Sequence, residues 1–459
     1  MSQDKSSVAD FTRAIERNPD DIHAYLERGQ LYEKAGQYEQ AIEDYSQIIR
    51  LDPAKAEAFY RRGNLYRKIK AFEPALADFD QAISLDPETA RNWVGRGNTH
   101  FDRQAFEPAI ADYSAALRLD PTYLAALYNR GKCYAEIEQD EAALADFTTV
   151  LQLDPQDAAA WLSRGRLYAK KGFYEIAIDD YTKVITFDTT DSLAFVGRGG
   201  SYTEIGEDTA ARADFETALQ LDPHEAKAYI GRGLLRAKQD DLAGAVADFD
   251  QAIRLSSADI EAWIMRGMLH YRQGRAESAL ADFTEAIRLD PQDARGAFGR
   301  ALVYAGQGDH GRAVVNFSQA LRHNQEFGAA LVGRANSFHK LGEVEPALAD
   351  YEQALQLNPF DAAVFYNRGL LYHHLGQVEA ALADYGEAAR LNPHDSAAWY
   401  NRACLLAGQN RPDEALADLR QALTVDQTGT VLANAPTDPD FEPLRADPRF
   451  QILLAEFST

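Results

Sequence analysis

Apolar and small residues in this chain recur three or four positions apart in short runs, and each run is broken by a turn signal. One run passes through Tyr25, Gly29 and Tyr32, the next through Ala41, Tyr45 and Ile48, and a Leu-Asp-Pro stop follows at 51–53. Residues spaced in this way share one face of a helix. The pattern therefore predicts two antiparallel amphipathic helices joined by a short turn. The whole figure then begins again 34 residues further on. Taking residues 22–55 as the first full copy, twelve copies run in phase without insertion or deletion and end at Gly429.

Several places within the repeat are nearly invariant. The eighth is Gly or Ala, from Gly29 to Ala403, and the twentieth is always Ala, from Ala41 to Ala415. The twenty-fourth is Tyr or Phe in eleven copies and Leu419 in the last. All four tryptophans, Trp93, Trp161, Trp263 and Trp399, stand at the fourth place. Places 4, 8 and 11 fall on one face of the first helix, and places 20, 24 and 27 on one face of the second. A small residue facing the alanine of place 20 lets two backbones approach, with aromatics filling the space around them. Glycine is frequent at the fifteenth place (Gly36, Gly172, Gly206, Gly274, Gly308, Gly342, Gly376), as suits a helix C-terminus. Asp157, Asp191, Asp259, Asp293, Asp361 and Asp395 precede first helices as N-caps.

These residues resemble the tetratricopeptide repeat, whose pattern is W-x2-L-G-x2-Y…A-x3-F…P. The resemblance covers residues 22–429 and is of a bacterial type with Arg-Gly in the first helix of most repeats. It implies an all-α fold, a right-handed superhelical solenoid of helix pairs with a concave inner groove. Residues 1–21 are then a capping half-repeat with a lone helix from Ser6 to Asn18, and residues 430–459 a capping segment. Phe441, Leu444, Phe450, Leu453 and Leu454 are expected to cover the last repeat, since the ends of such arrays need caps.

One place departs from the family. The seventh is Arg in every copy, from Arg28 to Arg402, where the family pattern has Leu. A charge beside closely packed backbone needs a partner. The twenty-third place supplies it with Asp in eleven copies, Asn316 being the exception. Because the N-terminal half-repeat also carries the acid, Asp10, and has no Arg-bearing helix, the expectation is a ladder between repeats, Asp10–Arg28, Asp44–Arg62 and onward.

Composition narrows the function. Formal net charge is −24, which disfavours nucleic acid and anionic lipid as partners. Forty-six percent apolar residues is ordinary for a folded chain. The two cysteines, Cys133 and Cys404, lie in different repeats and give no disulfide framework. The first residues carry no hydrophobic leader, and no apolar run approaches the roughly 20 residues that cross a bilayer. A cytoplasmic protein is expected.

The resemblance assigns binding to places 2, 5, 9, 12 and 13 of the first helices. The fifth place is apolar or aromatic throughout and reads as a run of anchors along an exposed surface: Tyr60, Val94, Tyr128, Leu162, Ile230, Ile264, Phe298 and Tyr366 among them. Arg67, Arg91, Lys132, Arg166 and Lys170 lie on the same face, with Asn64 and Asn98 at the ninth place. Acids on these places are fewer, so an apolar and basic groove for a protein or peptide partner is expected. Tyr60 and Ala125 stand where a family clamp for C-terminal carboxylates has Lys. His339, His373 and His374 cluster, yet no acid or Cys completes a metal set at reliable spacing. No catalytic motif is present, and the glycines are explained by helix packing. The leading expectation is a non-catalytic scaffold or adaptor without cofactor or metal. The alternatives are a chaperone-like assembly factor cradling an acidic client tail, and an enzyme or metal-binding protein.

Overall fold

The computed structural model describes residues 7–458. Residues 1–6, with Ser6 of the expected capping helix and the expected absence of a leader, lie outside the described residues. All regular structure among the described residues is helical: a lone helix Val8–Arg17, twelve helix pairs from Ile22–Lys34 with Tyr38–Leu51 to Ser396–Gly408 with Pro412–Val425, and a short helical tail. This is an all-α solenoid of antiparallel helix pairs. The chain divides into two compact units, Met1–Leu235 and Arg236–Thr459, and the division falls within the helix Ala226–Lys238.

In both units the core is the twenty-fourth-place ring. Tyr45, Phe79, Tyr113, Phe147, Tyr181 and Phe215 are at most 2% exposed in the first unit, as are Phe249, Phe283, Phe317, Tyr351 and Tyr385 in the second. Burying each such ring is worth roughly 1.5–3 kcal/mol. The eighth-place glycine makes room for the ring more than for the alanine of place 20. A Cβ on Gly97 would lie 2.9 Å from Cε1 of Tyr113. At Gly95 and Gly197, in the sixth place, the ring of the preceding repeat comes closer still.

Turn chemistry fixes where each helix stops. The fifteenth place is left-handed in all twelve repeats. Seven of these residues are glycines, and the other five are Lys70, Gln104, Glu138, Asp240 and Asn410, with φ between 57° and 63°. The six predicted Asp N-caps accept backbone N–H groups of the following turn. The tryptophans also hold the turn between repeats. Nε1 of Trp93 and Trp161 donates to the carbonyls of Pro87 and Pro155 at 2.9 Å, Trp263 to Ser257 at 3.0 Å and Trp399 to Pro393 at 3.1 Å.

The expected ladder between repeats is wrong in its register. Arg62 bonds Asp78 and not Asp44, and the same holds for ten repeats: Nε and Nη2 of the Arg grip both oxygens of the Asp sixteen residues later at 2.6–3.0 Å. The pair joins the two helices of one repeat. Asp10, from which the wrong register was inferred, closes a capping box instead. Its carboxylate accepts the Ser7 N–H and hydroxyl, each at 2.8 Å, and also pairs with Arg13. These bonds hold it at about 2, well below the usual carboxylate range.

The link to the preceding repeat comes from the third nitrogen. Nη1 of Arg28, Arg62, Arg130, Arg164, Arg198 and Arg334 donates to Thr12, Ser46, Ser114, Thr148, Thr182 and Ser318 at 2.9–3.3 Å. Arg96 and Arg266 reach Asp80 and Asp250 at 2.6 and 2.5 Å. Aromatics at the fourth and eleventh places flank the guanidinium, as Trp161 and Tyr168 flank Arg164 at 4.7 and 5.9 Å. Burial pushes the Asp44, Asp78 and Asp180 carboxyls up more than their partners pull them down. The hydrogen bonds from these carboxylates hold Arg28, Arg62 and Arg164 above the usual arginine range. Each rung thus fixes geometry more than it adds net stability.

The tail packs on the last repeat. Phe441, Leu444, Phe450, Leu453 and Leu454 are buried against Ala403, Leu406, Leu419 and Leu423. At the other end no residue of the helix Val8–Arg17 is fully buried, and Ile15 packs beside Tyr25 and Tyr45.

Two outcomes are expected. A double-mutant cycle on Arg62 and Asp78, read by thermal or urea unfolding, should give a coupling of about 1–3 kcal/mol, whereas Arg62 and Asp44 should be additive to within about 0.5 kcal/mol. Replacing the exposed left-handed residues Lys70, Gln104 and Glu138 by Gly should stabilise the array by about 0.5–1 kcal/mol each, seen as a stepwise rise in melting temperature.

Candidate binding face

The face assigned to binding is built from one side of the first helices, and its fifth-place residues do not form an exposed apolar run. None of the twelve is exposed, and Val94, Ile230 and Ile264 are buried at 6%, 5% and 3%. The reason is the core ring below. Tyr60 packs on Phe79 at 6.0 Å between centroids, Tyr128 on Phe147 at 5.7 Å, and Phe298 and Tyr366 on Phe317 and Tyr385 at 5.8 Å. These side chains, with Leu162, are half-buried, and neighbours cover part of what the second helix leaves: the ring of Phe327 lies 4.6 Å from that of Phe298, and the Tyr128 and Tyr366 hydroxyls bond Ser163 and Asn401.

The cations of the face are mostly engaged with neighbouring repeats. Arg67 bonds Asp102 at 2.7 Å, Lys170 bonds Asp140 at 3.1 Å, and Arg91 pairs with Glu57 while lying 5.0 Å above the ring of Tyr60. Lys68 reaches Glu33 at 3.3 Å, and in the second unit Arg272 reaches Asp240 at 3.3 Å. Acids such as Asp140 and Asp240, at places outside the predicted face, swing in to make these pairs. Lys132 is held differently, 4.7 Å above Phe101 and 5.8 Å from Tyr128. Lys34, Lys132, Arg166 and Lys227 form no ion pair among the described residues, and all but the partly covered Lys132 are exposed.

Polar groups tie the face to the core. Asn64 donates to the carbonyl of Tyr60 at 3.0 Å. Oδ1 of Asn98 accepts the Tyr113 hydroxyl at 2.7 Å and the Asn129 amide at 3.0 Å. Asn336 accepts the Tyr351 hydroxyl at 2.5 Å in the same way.

In the second unit the face opens into a cleft of about 520 Å³. Phe298, Leu302, Val332 and Val364 supply apolar walls, and Asn336 and Asp361 supply polar edges. Sequence reading missed it, although a signal was present. The tenth repeat is the only one with Gly at its first place, Gly328, where a Cβ would meet nothing within 4 Å, and small residues, Ala329 and Gly333, stand at its second and sixth places.

Two groups of metal-type donors lie nearby in the second unit. Nε2 of His339 and Nδ1 of His374 are 2.8 Å apart, and His373 is 3.4 Å from the Tyr385 hydroxyl. Cys404 of the helix Ser396–Gly408 meets Asp438 and Asp440 of the tail. Asp438 already accepts the Tyr400 hydroxyl at 2.5 Å and the Asp440 N–H at 3.0 Å, and burial raises the Cys404 thiol. That group therefore serves to anchor the tail. Cys133 is likewise buried and free, its thiol pushed up to about 12 by burial.

Helix pairs in strict register, with small residues under core rings and one patterned face, define a helical-hairpin repeat protein. Family models described as tetratricopeptide repeat or TPR repeat match residues 11–43, 34–70, 56–89, 97–138, 124–157, 141–192, 205–260, 260–293, 335–376, 362–395 and 396–428. The chain belongs to the tetratricopeptide repeat family. No curated protein matches it. Similar solved structures include the APC/C hetero-tetramer Cut9-Hcn1, at 16% identity over 89% of this chain and 92% of that chain with a TM-score of 0.49. Yeast Tom70 is 17% identical over 95% of this chain and 96% of that chain, with a TM-score of 0.41. A tetratricopeptide repeat protein from Parabacteroides merdae is 23% identical over 51% of this chain and 93% of that chain, with a TM-score of 0.43. Among the described residues no helix is long and apolar enough to cross a membrane.

The His339–His374 contact gives a pH dependence. Burial, then the nearby His374 and Lys340, hold His339 below the ordinary histidine range. Its unfolded form therefore takes a proton at a pH where the folded form resists it, and stability falls as pH drops through that range. Thermal melts from pH 7.5 to pH 5, the interval flanking the ordinary histidine value of about 6.5, should show a loss that is smaller in His339→Gln.

Proposed function

We propose that the chain is a non-catalytic scaffold that holds a peptide or protein partner along the first-helix face. In this reading residues 1–21 and 430–459 cap the ends, and residues 22–429 carry the binding surface. The observation that supports it is the pairing of half-buried rings with cations that lack acid partners. Lys132 lies over Phe101 and Tyr128 in the first unit, with Arg166 exposed in the next repeat. A segment with apolar side chains would pack on the exposed parts of the half-buried Tyr128 and Tyr366, while its carboxylates meet Lys132 and Arg166. The cleft around Phe298 suits one larger apolar side chain. The protein would act in the cytoplasm.

The test uses a partner captured with the wild-type chain and then measured by titration calorimetry. Lys132→Glu should weaken binding about tenfold with little change in melting temperature, and Tyr128→Ala should add to the loss. Undiminished affinity in Lys132→Glu together with Arg166→Glu would remove the basis for this reading.

A further inference from the structure

The ninth repeat breaks two rules that the rest of the chain keeps. Its residues 294–327 carry four arginines against two acids, whereas the other eleven repeats are neutral or acidic. Its second helix, His310–His323, contains no Asp or Glu at all. Every other second helix carries at least one, and the flanking helices Ala276–Leu289 and Val344–Leu357 carry Glu277, Glu285, Glu345 and Glu352.

The same repeat holds the incomplete rung. Asn316 stands where an Asp is expected. Its Oδ1 accepts Nε of Arg300 at 2.6 Å and its amide donates to the Arg312 carbonyl at 2.8 Å, so the asparagine is satisfied. Arg300 is not. Nη2 makes only a 3.4 Å contact to Gln319, Nη1 makes none among the described residues, and no carboxylate neutralises the charge. A half-buried guanidinium without a counter-charge is costly, and ten other repeats avoid it.

The exposed side of the same helix runs beside this charge. Arg312, whose exposed side chain pairs with the N-cap Asp309 at 2.8 Å, Val315, Gln319 and Arg322 follow at helical spacing along it. Val315 is 65% exposed, and Arg322 is exposed and forms no ion pair among the described residues. Gln319 joins that stripe to Arg300 through the contact above. An open valine flanked by Arg312 and Arg322, beside the uncompensated Arg300 and bordered by acidic helices, matches a segment that carries carboxylates near an apolar residue. The acidic borders also repel such a segment from neighbouring repeats and so fix its position.

We infer that the second helix of the ninth repeat is a docking surface for an acidic segment of a protein partner, with the open Arg300 rung as its anchor. This surface is separate from the first-helix face and stands whether or not that face binds. The key variant is Asn316→Asp. It completes the rung, so it should raise the melting temperature while weakening binding, an opposition that loss of structure cannot produce.

The experiment uses the full chain and a short fluorescein-labelled peptide of glutamates around a single leucine, followed by anisotropy. Wild type should bind. Asn316→Asp should weaken binding about threefold and Val315→Glu with Arg322→Glu at least about tenfold, while Lys132→Glu leaves it unchanged. Unchanged binding in Asn316→Asp, or no binding by wild type, overturns the proposal. Displacement by inorganic phosphate at equal concentration would make this a site for free oxyanions and overturn it too. Sedimentation showing a dimer that Val315→Glu dissolves would assign the surface to a second copy instead.

Discussion

A carboxylate buried in nearly every second helix must meet a cation, and the tetratricopeptide array here is arranged around that requirement. The guanidinium answers with three nitrogens. Two take the Asp of the same repeat and one reaches back to the repeat before. A residue that the usual family pattern fills with Leu thereby sets two angles at once, within the pair and between pairs. Desolvation offsets much of the attraction, so what the rung supplies is direction. The bulk of the stability comes from the rings of place 24, which the eighth-place glycines admit.

Most of this was legible in the sequence. Period, helix limits, N-caps and the partner residue types all follow from spacing. The register of the rung was not. Arg62 has acids sixteen residues after it and eighteen before it, and periodicity alone treats them alike. The tie was broken with Asp10, which Ser7 had already claimed for a capping box. The clue stood in the sequence as Ser followed three residues later by an acid. The binding face was misjudged for a related reason. Spacing tells which residues share a side of a helix, not how far the ring of the next helix extends beneath them. Val94, Ile230 and Ile264 were counted as open although rings and neighbours enclose them.

Charge on the first-helix face is likewise a matter of neighbours. Arg67 and Lys170 look available in a list of places, yet Asp102 and Asp140 hold them. A few cations escape, and these, with the half-buried rings beside them, carry the functional reading. The ninth repeat stands apart on the opposite helices, where the missing acid is an exception to the rule of the array.

The back-reaching nitrogen has one more consequence. At six seams its acceptor is a hydroxyl, from Ser46 or Thr148 for example, and such a bond carries no second charge for dissolved ions to screen. At two seams it is a partly exposed carboxylate, Asp80 in the first unit and Asp250 in the second. Screening weakens exposed charge pairs over about 8 Å at physiological ionic strength. The array is therefore not uniformly stiff: its two carboxylate seams loosen as ionic strength rises while their hydroxyl neighbours hold, so the surrounding electrolyte sets where within each unit the stack yields first.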